Sequence, residues 1–256
     1  METTIIGSGN VAWRLAPALD NAGHIVKEVY SRNPDHAALL VKRLYQATAK
    51  KDLDFSNSTS ELFIIAVADD AIEEIATEIV LPDNATVAHT SGSQPLSILG
   101  YLPTENIGVF YPLQTFSKSR KVDFSEVPVC IEGENQKTVD LLSEIAGSIS
   151  RNVCRVNTSD RKVLHLAAVF SCNFVNHLFT IAKEIVERRG LDYEMLKPLI
   201  IETVGKSLDI GPENSQTGPA VRGDRAVMEE HQQFLLYNEN LSYIYETLSK
   251  HITDTY

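Results

Sequence analysis

Cysteine is scarce. Cys130, Cys154 and Cys172 are the only thiols in 256 residues, and none belongs to a C-x-x-C spacing. That excludes a disulfide scaffold or a thiolate zinc site, and reduced thiols in a cytoplasmic setting are expected. Basic runs are missing too, and 23 Lys and Arg against 34 Asp and Glu leave a formal charge of −11. Nucleic-acid binding rests on clustered cations, so no nucleic-acid partner is expected. No apolar run approaches the length of a bilayer span, and the chain opens directly in a β-branched segment. Neither a membrane partner nor a signal peptide is therefore expected. Internal repeats and low-complexity tracts are likewise absent. With 43% hydrophobic and 22% charged residues, the composition is that of a globular chain with surface enough for one large domain or two modest ones.

What is present begins at once. Thr3-Thr4-Ile5-Ile6 is followed directly by Gly7-Ser8-Gly9-Asn10-Val11-Ala12, and a helix fits from Val11 to about Ala22. Strand, glycine turn and helix together give G-x-G-x-x-A its meaning as a dinucleotide site. Gly7 allows the tight turn, Gly9 lets a pyrophosphate approach the backbone, and small Ala12 allows close helix–strand packing. The diphosphate is expected over Gly7, Ser8, Gly9, Asn10 and Val11, at the positive end of the helix.

A second strand, 25–30, ends in Ser31-Arg32-Asn33. An Asp or Glu here would bind the ribose 2′-hydroxyl of NAD, whereas this chain supplies a hydroxyl, a guanidinium and an amide. Arginine is a planar donor fork suited to phosphate, so NADP is the expected cofactor. Residues 61–67 form a continuous apolar run typical of a parallel strand covered on both faces. Asp69 and Asp70 are expected to cap the helix that follows, reaching roughly Val80. Strands 86–89 and 107–110 end in polar tails where open α/β sheets bind ligands, so His89, Ser91, Gln114 and Thr115 are candidates to face the nicotinamide or substrate. Another strand spans 127–131, where Pro128 suggests a sheet edge.

Strands and helices alternate to residue 156 and then give way to helices alone. The expected organisation is a mostly parallel, doubly wound α/β Rossmann-like domain over 1–156 and an all-α substrate and dimerisation domain over 157–256. A long helix fits Thr158 to Arg189, another Tyr193 to Asp209, and a last one Arg225 to Leu248. At helical pitch His165, Ala168, Cys172 and Asn176 share a stripe on the first, with Asn173 beside it. A half-buried histidine can exchange protons near neutral pH, so His165 is the candidate proton donor and Asn173 and Asn176 are candidate orienting amides. Arg222, within Thr217-Gly-Pro-Ala-Val-Arg222-Gly-Asp224, is a candidate carboxylate clamp, and Asp224 a candidate helix cap.

Taken together, Ile-Ile-Gly-Ser-Gly-Asn-Val-Ala, Ser31-Arg32-Asn33, Ala66-Val67-Ala68-Asp69-Asp70, His89-Thr-Ser91-Gly92, Pro112-Leu-Gln-Thr-Phe116, His165 through His177, and Thr217 through Asp224 resemble one family. It is the family of NADP oxidoreductases that join a Rossmann-like domain to a helical domain of uncharacterised function. More distantly the chain is similar to pyrroline-5-carboxylate reductase, the deazaflavin-dependent NADP reductase, and the 6-phosphogluconate and β-hydroxyacid dehydrogenases. The resemblance implies a helical domain like that of 6-phosphogluconate dehydrogenase, a homodimer formed through it, an active site completed between the domains, and cofactor contacts at Val67 and Ala68. It implies hydride transfer between NADPH and a small C=N or C=O substrate bearing a carboxylate. One departure stands out: if Asn173 matches the Asn of the β-hydroxyacid dehydrogenases, Val169 occupies the place of their acid–base lysine. His165, one turn earlier, is the nearest replacement. A β-hydroxyacid-type enzyme with a changed base, and a redox sensor that binds NADP without turnover, are the alternatives.

Overall fold

The computed structural model describes residues Met1–Tyr256. By its internal contacts the chain forms two compact units, Met1–Cys172 and Asn173–Tyr256. The division falls within the long helix rather than ahead of it.

In the first unit, β1 (Glu2–Ile6), α1 (Asn10–Asn21), β2 (Ile25–Tyr30), α2 (Pro34–Val41), β3 (Thr48–Lys50), β4 (Leu62–Ile65), α3 (Ile72–Glu78), β5 (Thr86–His89), β6 (Ile107–Pro112), β7 (Val129–Gly133), α4 (Gln136–Ile149) and β8 (Val153–Arg155) follow in order. The eight strands pair as β3-β2-β1-β4-β5-β6-β7-β8. All neighbours are parallel except β6 and β7. Chain connections lead outward in opposite directions from β1 and β4, and ligands of open α/β sheets bind at the carboxyl ends of such a pair. Successive residues of β4 point to opposite faces. Leu62 and Ile64 join the core under α1 and α4, whereas Phe63 and Ile65 join the core under α3. All four are fully buried, which is why this strand reads as an unbroken apolar run.

β7 is not an edge: it lies between β6 and β8. Pro128 precedes the strand, so its missing N–H takes nothing from the ladder, while its carbonyl accepts from Leu113 N at 2.8 Å.

The helix opening at Thr158 runs to Glu187, as α5 (Thr158–Ala168), a π-helical stretch over Val169–Phe174, and α6 (Val175–Glu187). Its 30 residues contain an 18-residue window of mean hydropathy 1.3, long and apolar enough by length and composition to cross a membrane. That corrects the expectation that no stretch reaches this length. The π stretch bonds i to i+5 and adds residues to its turns. The stripe drawn from His165 to Asn176 at α pitch is therefore out of phase beyond Ala168.

The second unit continues with α7 (Lys197–Ile210), the short α8 (Pro212–Ser215), α9 (Arg225–Phe234) and α10 (Glu239–Thr255). Where one final helix was expected there are two. Asn238 interrupts the run with an extended backbone, and its side chain accepts from Asn240 N and Leu241 N to start α10, the usual work of an N-cap asparagine. Asp224 precedes α9 without a side-chain cap bond, contrary to its expected role.

Candidate functional site

At the end of β1 the backbone must turn sharply into α1, and Gly7 makes this possible with φ of +123°. A Cβ there would lie 2.1 Å from the Ala66 carbonyl oxygen, whereas one on Gly9 would meet nothing nearer than 4.0 Å. Gly7 thus serves the protein's own packing, and Gly9 leaves space above it for a ligand. No side chain caps α1, so its first N–H groups are free for an anion. Ser8 Oγ and Ser31 Oγ are 2.8 Å apart and tie the turn to the end of β2.

These segments enclose a cavity of about 620 Å³. Gly7, Ser8, Gly9, Asn10, Val11, Ser31, Arg32, Val67 and Ala68 all line it, so most of the cofactor contacts expected from sequence converge. Asp70, Glu74 and Glu78 give the lining an acidic wall as well, and Arg32 is the sole cation in it. The bare helix end and glycine cradle suit a diphosphate, and Arg32 suits a further phosphate. The acidic wall would repel either group, which confines both to the glycine and arginine side.

Asn33 is not in the lining. Its side chain accepts from Asp35 N at 3.0 Å and caps α2. Asp69 does not cap the helix after β4; its carboxylate accepts the hydroxyl hydrogen of Ser93. Gln114 and Thr115 close their own turn through Thr115 N and Gln114 Oε1, 2.8 Å apart.

His89 and Ser91 are buried and lie outside that lining. His89 Nδ1 accepts from Ser91 N at 3.1 Å, so the ring's proton sits on Nε2. Burial, with help from the Arg161 charge, pushes the His89 pKa down to about 4, against opposition from the Pro95 carbonyl and Asp69. The unfolded chain takes up this proton near pH 6.5 and the folded one only near 4, so the neutral ring's contribution is complete above 6.5 and is lost as pH falls to about 4. On the order of 3 kcal/mol should disappear across that window. Urea unfolding from neutral to acid pH should show this slope in wild type and a shallower one in His89→Gln.

Beside His89, Arg161 of α5 is wholly buried. Its Nε donates to the Ser91 carbonyl at 3.2 Å, its Nη2 to the Gln94 carbonyl, and its Nη1 to Glu132 Oε2 at 2.6 Å. Glu132 also accepts from Thr158 N at 2.9 Å. Burial draws the guanidinium below its ordinary pKa while Glu132 supports its charge. The loop 91–94 is thereby fixed to β7 and α5. Against it stand Tyr111 and His165, with Tyr111 Oη 3.2 Å from His165 Nδ1. Burial pushes the Tyr111 phenol up to about 12, the Cys130 thiol adding to the effect and the Arg161 charge opposing it.

Residues 1–113 match a Rossmann-like domain, and residues 127–252 match the family described as a domain of unknown function (DUF2520). A "putative NADP oxidoreductase" from Bacteroides fragilis shares 37% identity with this chain, at a TM-score of 0.91 over 99% of this chain and 98% of its own. The chain belongs to this NADP oxidoreductase family. A protein of Thermotoga maritima, at 23% identity, superposes with a TM-score of 0.81 over 99% and 98% of the two chains. The reductive aminase of Aspergillus terreus, in complex with NADPH and ethyl levulinate, superposes with a TM-score of 0.70 at 15% identity over 99% and 97%, a likeness of fold. Comparison with curated proteins finds no match.

In this oxidoreductase the remaining candidates fall in different units. His165 belongs to the first, while Asn173, Asn176 and Arg222 are exposed residues of the second. Arg222 Nη2 lies 3.9 Å from Asp224 Oδ2, and Gly218 and Gly223 shape its loop with φ of +117° and +64°. Sequence reasoning missed Arg161, Glu132 and Tyr111. An arginine in the polar first turn of a helix looks solvated, and Tyr111 was hidden in a strand-to-turn run.

Proposed function

We propose that this oxidoreductase uses NADPH to reduce a small C=N or C=O substrate bearing a carboxylate. The observation that carries the reading is the joint lining of one cavity by the uncapped start of α1, the Gly7–Gly9 turn and a single cation, Arg32. When bound, NADPH supplies the hydride, and the protein contributes position and charge. The α1 amides hold the diphosphate and Arg32 the 2′-phosphate. His165 serves as proton donor, Asn173 and Asn176 orient the substrate's heteroatom, and Arg222 clamps its carboxylate. His89 and Ser91 act behind these groups, holding the loop 91–94. Val169 in place of a lysine argues against the β-hydroxyacid mechanism.

The active form is a cytoplasmic homodimer made through the helical unit, with no nucleic acid as partner. Support comes from α7, where Ile201, Val204 and Leu208 share one face at helical pitch and are 72%, 47% and 81% exposed, an apolar surface of the kind a second subunit covers. Light scattering should give twice the chain mass; a monomer at micromolar concentration would remove this part.

Arg32→Ala should weaken NADPH roughly tenfold or more, since it removes a charge-assisted contact, and should leave NADH nearly unchanged. Isothermal titration with both nucleotides decides it, and equal losses would refute the assignment of Arg32. NADPH consumption against a panel of 2-keto acids, with and without methylamine, tests turnover. Tight NADPH binding with no turnover on any of them would favour a redox sensor.

A further inference from the structure

Tyr111, at the end of β6, has no part in the function as stated, yet its hydroxyl has a single hydrogen-bond partner, His165 Nδ1. The rings meet edge to face with centroids 6.2 Å apart and planes at 68°. Gly92 makes room for them: a Cβ there would lie 2.7 Å from His165 Nδ1 and 2.7 Å from Tyr111 Cζ. The loop carrying Gly92 is itself fixed on either side, at Ser91 and Gln94, by the buried Arg161 guanidinium. A glycine at closest approach and a buried charge gripping its loop hold this pair in one geometry.

A phenol can donate to an imidazole nitrogen or accept from it, and that choice decides which ring nitrogen carries the proton. Were Nδ1 the donor, the half-buried phenol hydrogen would have no acceptor within the protein, whereas the imidazole can still donate through Nε2 when Nδ1 accepts. The O–H therefore donates to Nδ1, which leaves the proton of the neutral ring on Nε2.

We propose that Tyr111 is a positioning residue that holds His165 as the Nε2–H tautomer and replenishes the proton His165 gives to the substrate heteroatom. This rests on the reading of His165 as proton donor. For a carbonyl, the hydride pair enters the carbon and the π pair becomes a lone pair on oxygen. The Nε2 proton moves to that oxygen while Nδ1 takes the phenol proton. A phenolate and an Nδ1–H ring remain; solvent water protonates Nε2 while Nδ1 returns its proton to the phenolate, which restores the Nε2–H tautomer and leaves hydroxide in solvent. An alkoxide is about as basic as hydroxide, so it draws a proton even from a phenol as weakly acidic as Tyr111. The nearby Arg161 charge favours the phenolate.

The test reads the ring directly, by nitrogen NMR of the full chain labelled with ¹⁵N-histidine at mildly alkaline pH. Wild type should show His165 with Nδ1 unprotonated and Nε2 protonated. Tyr111→Phe should lose this bias, and so should Gly92→Ala, whose methyl group wedges the pair apart. A protonated Nδ1 in wild type, or an unchanged tautomer in both variants, would overturn the proposal. Titration with NADPH separates it from the function above. Tyr111→Phe should bind NADPH as wild type does while kcat on any active keto acid falls by roughly 100-fold or more. If wild type itself failed to bind NADPH, the function would fall and the ring's tautomer would still decide the pair.

Discussion

Gly7→Ala should lose about 3 kcal/mol or more of folding stability, and NADPH binding with it. Two effects combine. A φ of +123° lies where L side chains are strained. The added methyl would also sit 2.1 Å from the Ala66 oxygen and 2.6 Å from its carbonyl carbon. Neither atom belongs to a side chain that can swing away. Ala66 N donates to the Ile6 carbonyl at 2.7 Å, and Gly7 N to the Tyr30 carbonyl at 2.7 Å, so backbone on both sides is held. Relief can come only by separating β1 from its neighbours at the sheet's switch point. Gly9→Ala supplies the contrast. Its Cβ meets only the Ala66 carbonyl oxygen, at an unstrained 4.0 Å, so stability should stay within about 1 kcal/mol of wild type. The methyl instead occupies space left to the diphosphate, and NADPH should bind roughly 10- to 100-fold more weakly. Urea unfolding and nucleotide titration of both variants check the pair of outcomes. A Gly7→Ala protein with wild-type stability would show that the turn is not the one described.

The nucleotide half of the molecule was legible because its signals are local. The turn, helix start and phosphate space of residues 7–12 lie within one short stretch, and β4 is covered on both faces and so apolar throughout. What escaped depends on partners remote in sequence. Pro128 looked like an edge marker because nothing in its neighbourhood reveals β8, which pairs beyond it. Leu235, Leu236 and Tyr237 continue an apolar run, so the break between α9 and α10 shows only in the extended backbone at Asn238. The π stretch at 169–174 has no glycine or proline to announce it. Arg32 could be read from the end of β2 alone, whereas Tyr111 gains its meaning from His165, 54 positions later.

Arg161→Met should cost about 3–5 kcal/mol, the loss expected when one partner of a buried ion pair is removed. The guanidinium is wholly buried and the Glu132 side chain is 17% exposed, so water can compensate little for either. Removing the charge leaves the Ser91 and Gln94 carbonyls without their donor and Glu132 with the Thr158 donors alone. Most of the loss therefore comes from stranded polar groups, and a second change should recover part of it. Arg161→Met with Glu132→Gln removes the unpaired charge and should be more stable than Arg161→Met, although both loop carbonyls stay unsatisfied. Arg161→Lys keeps the charge but gives up the planar fork that reaches two carbonyls and a carboxylate at once, and it should fall between wild type and Arg161→Met. Urea unfolding of wild type, both single variants and the double closes a mutant cycle, with an expected coupling of at least about 1 kcal/mol. Additive losses would mean that the two side chains act independently. In that case the donors to the Ser91 and Gln94 carbonyls alone would account for what Arg161 contributes, and Gly92 would be held beside Tyr111 and His165 without help from the Glu132 charge.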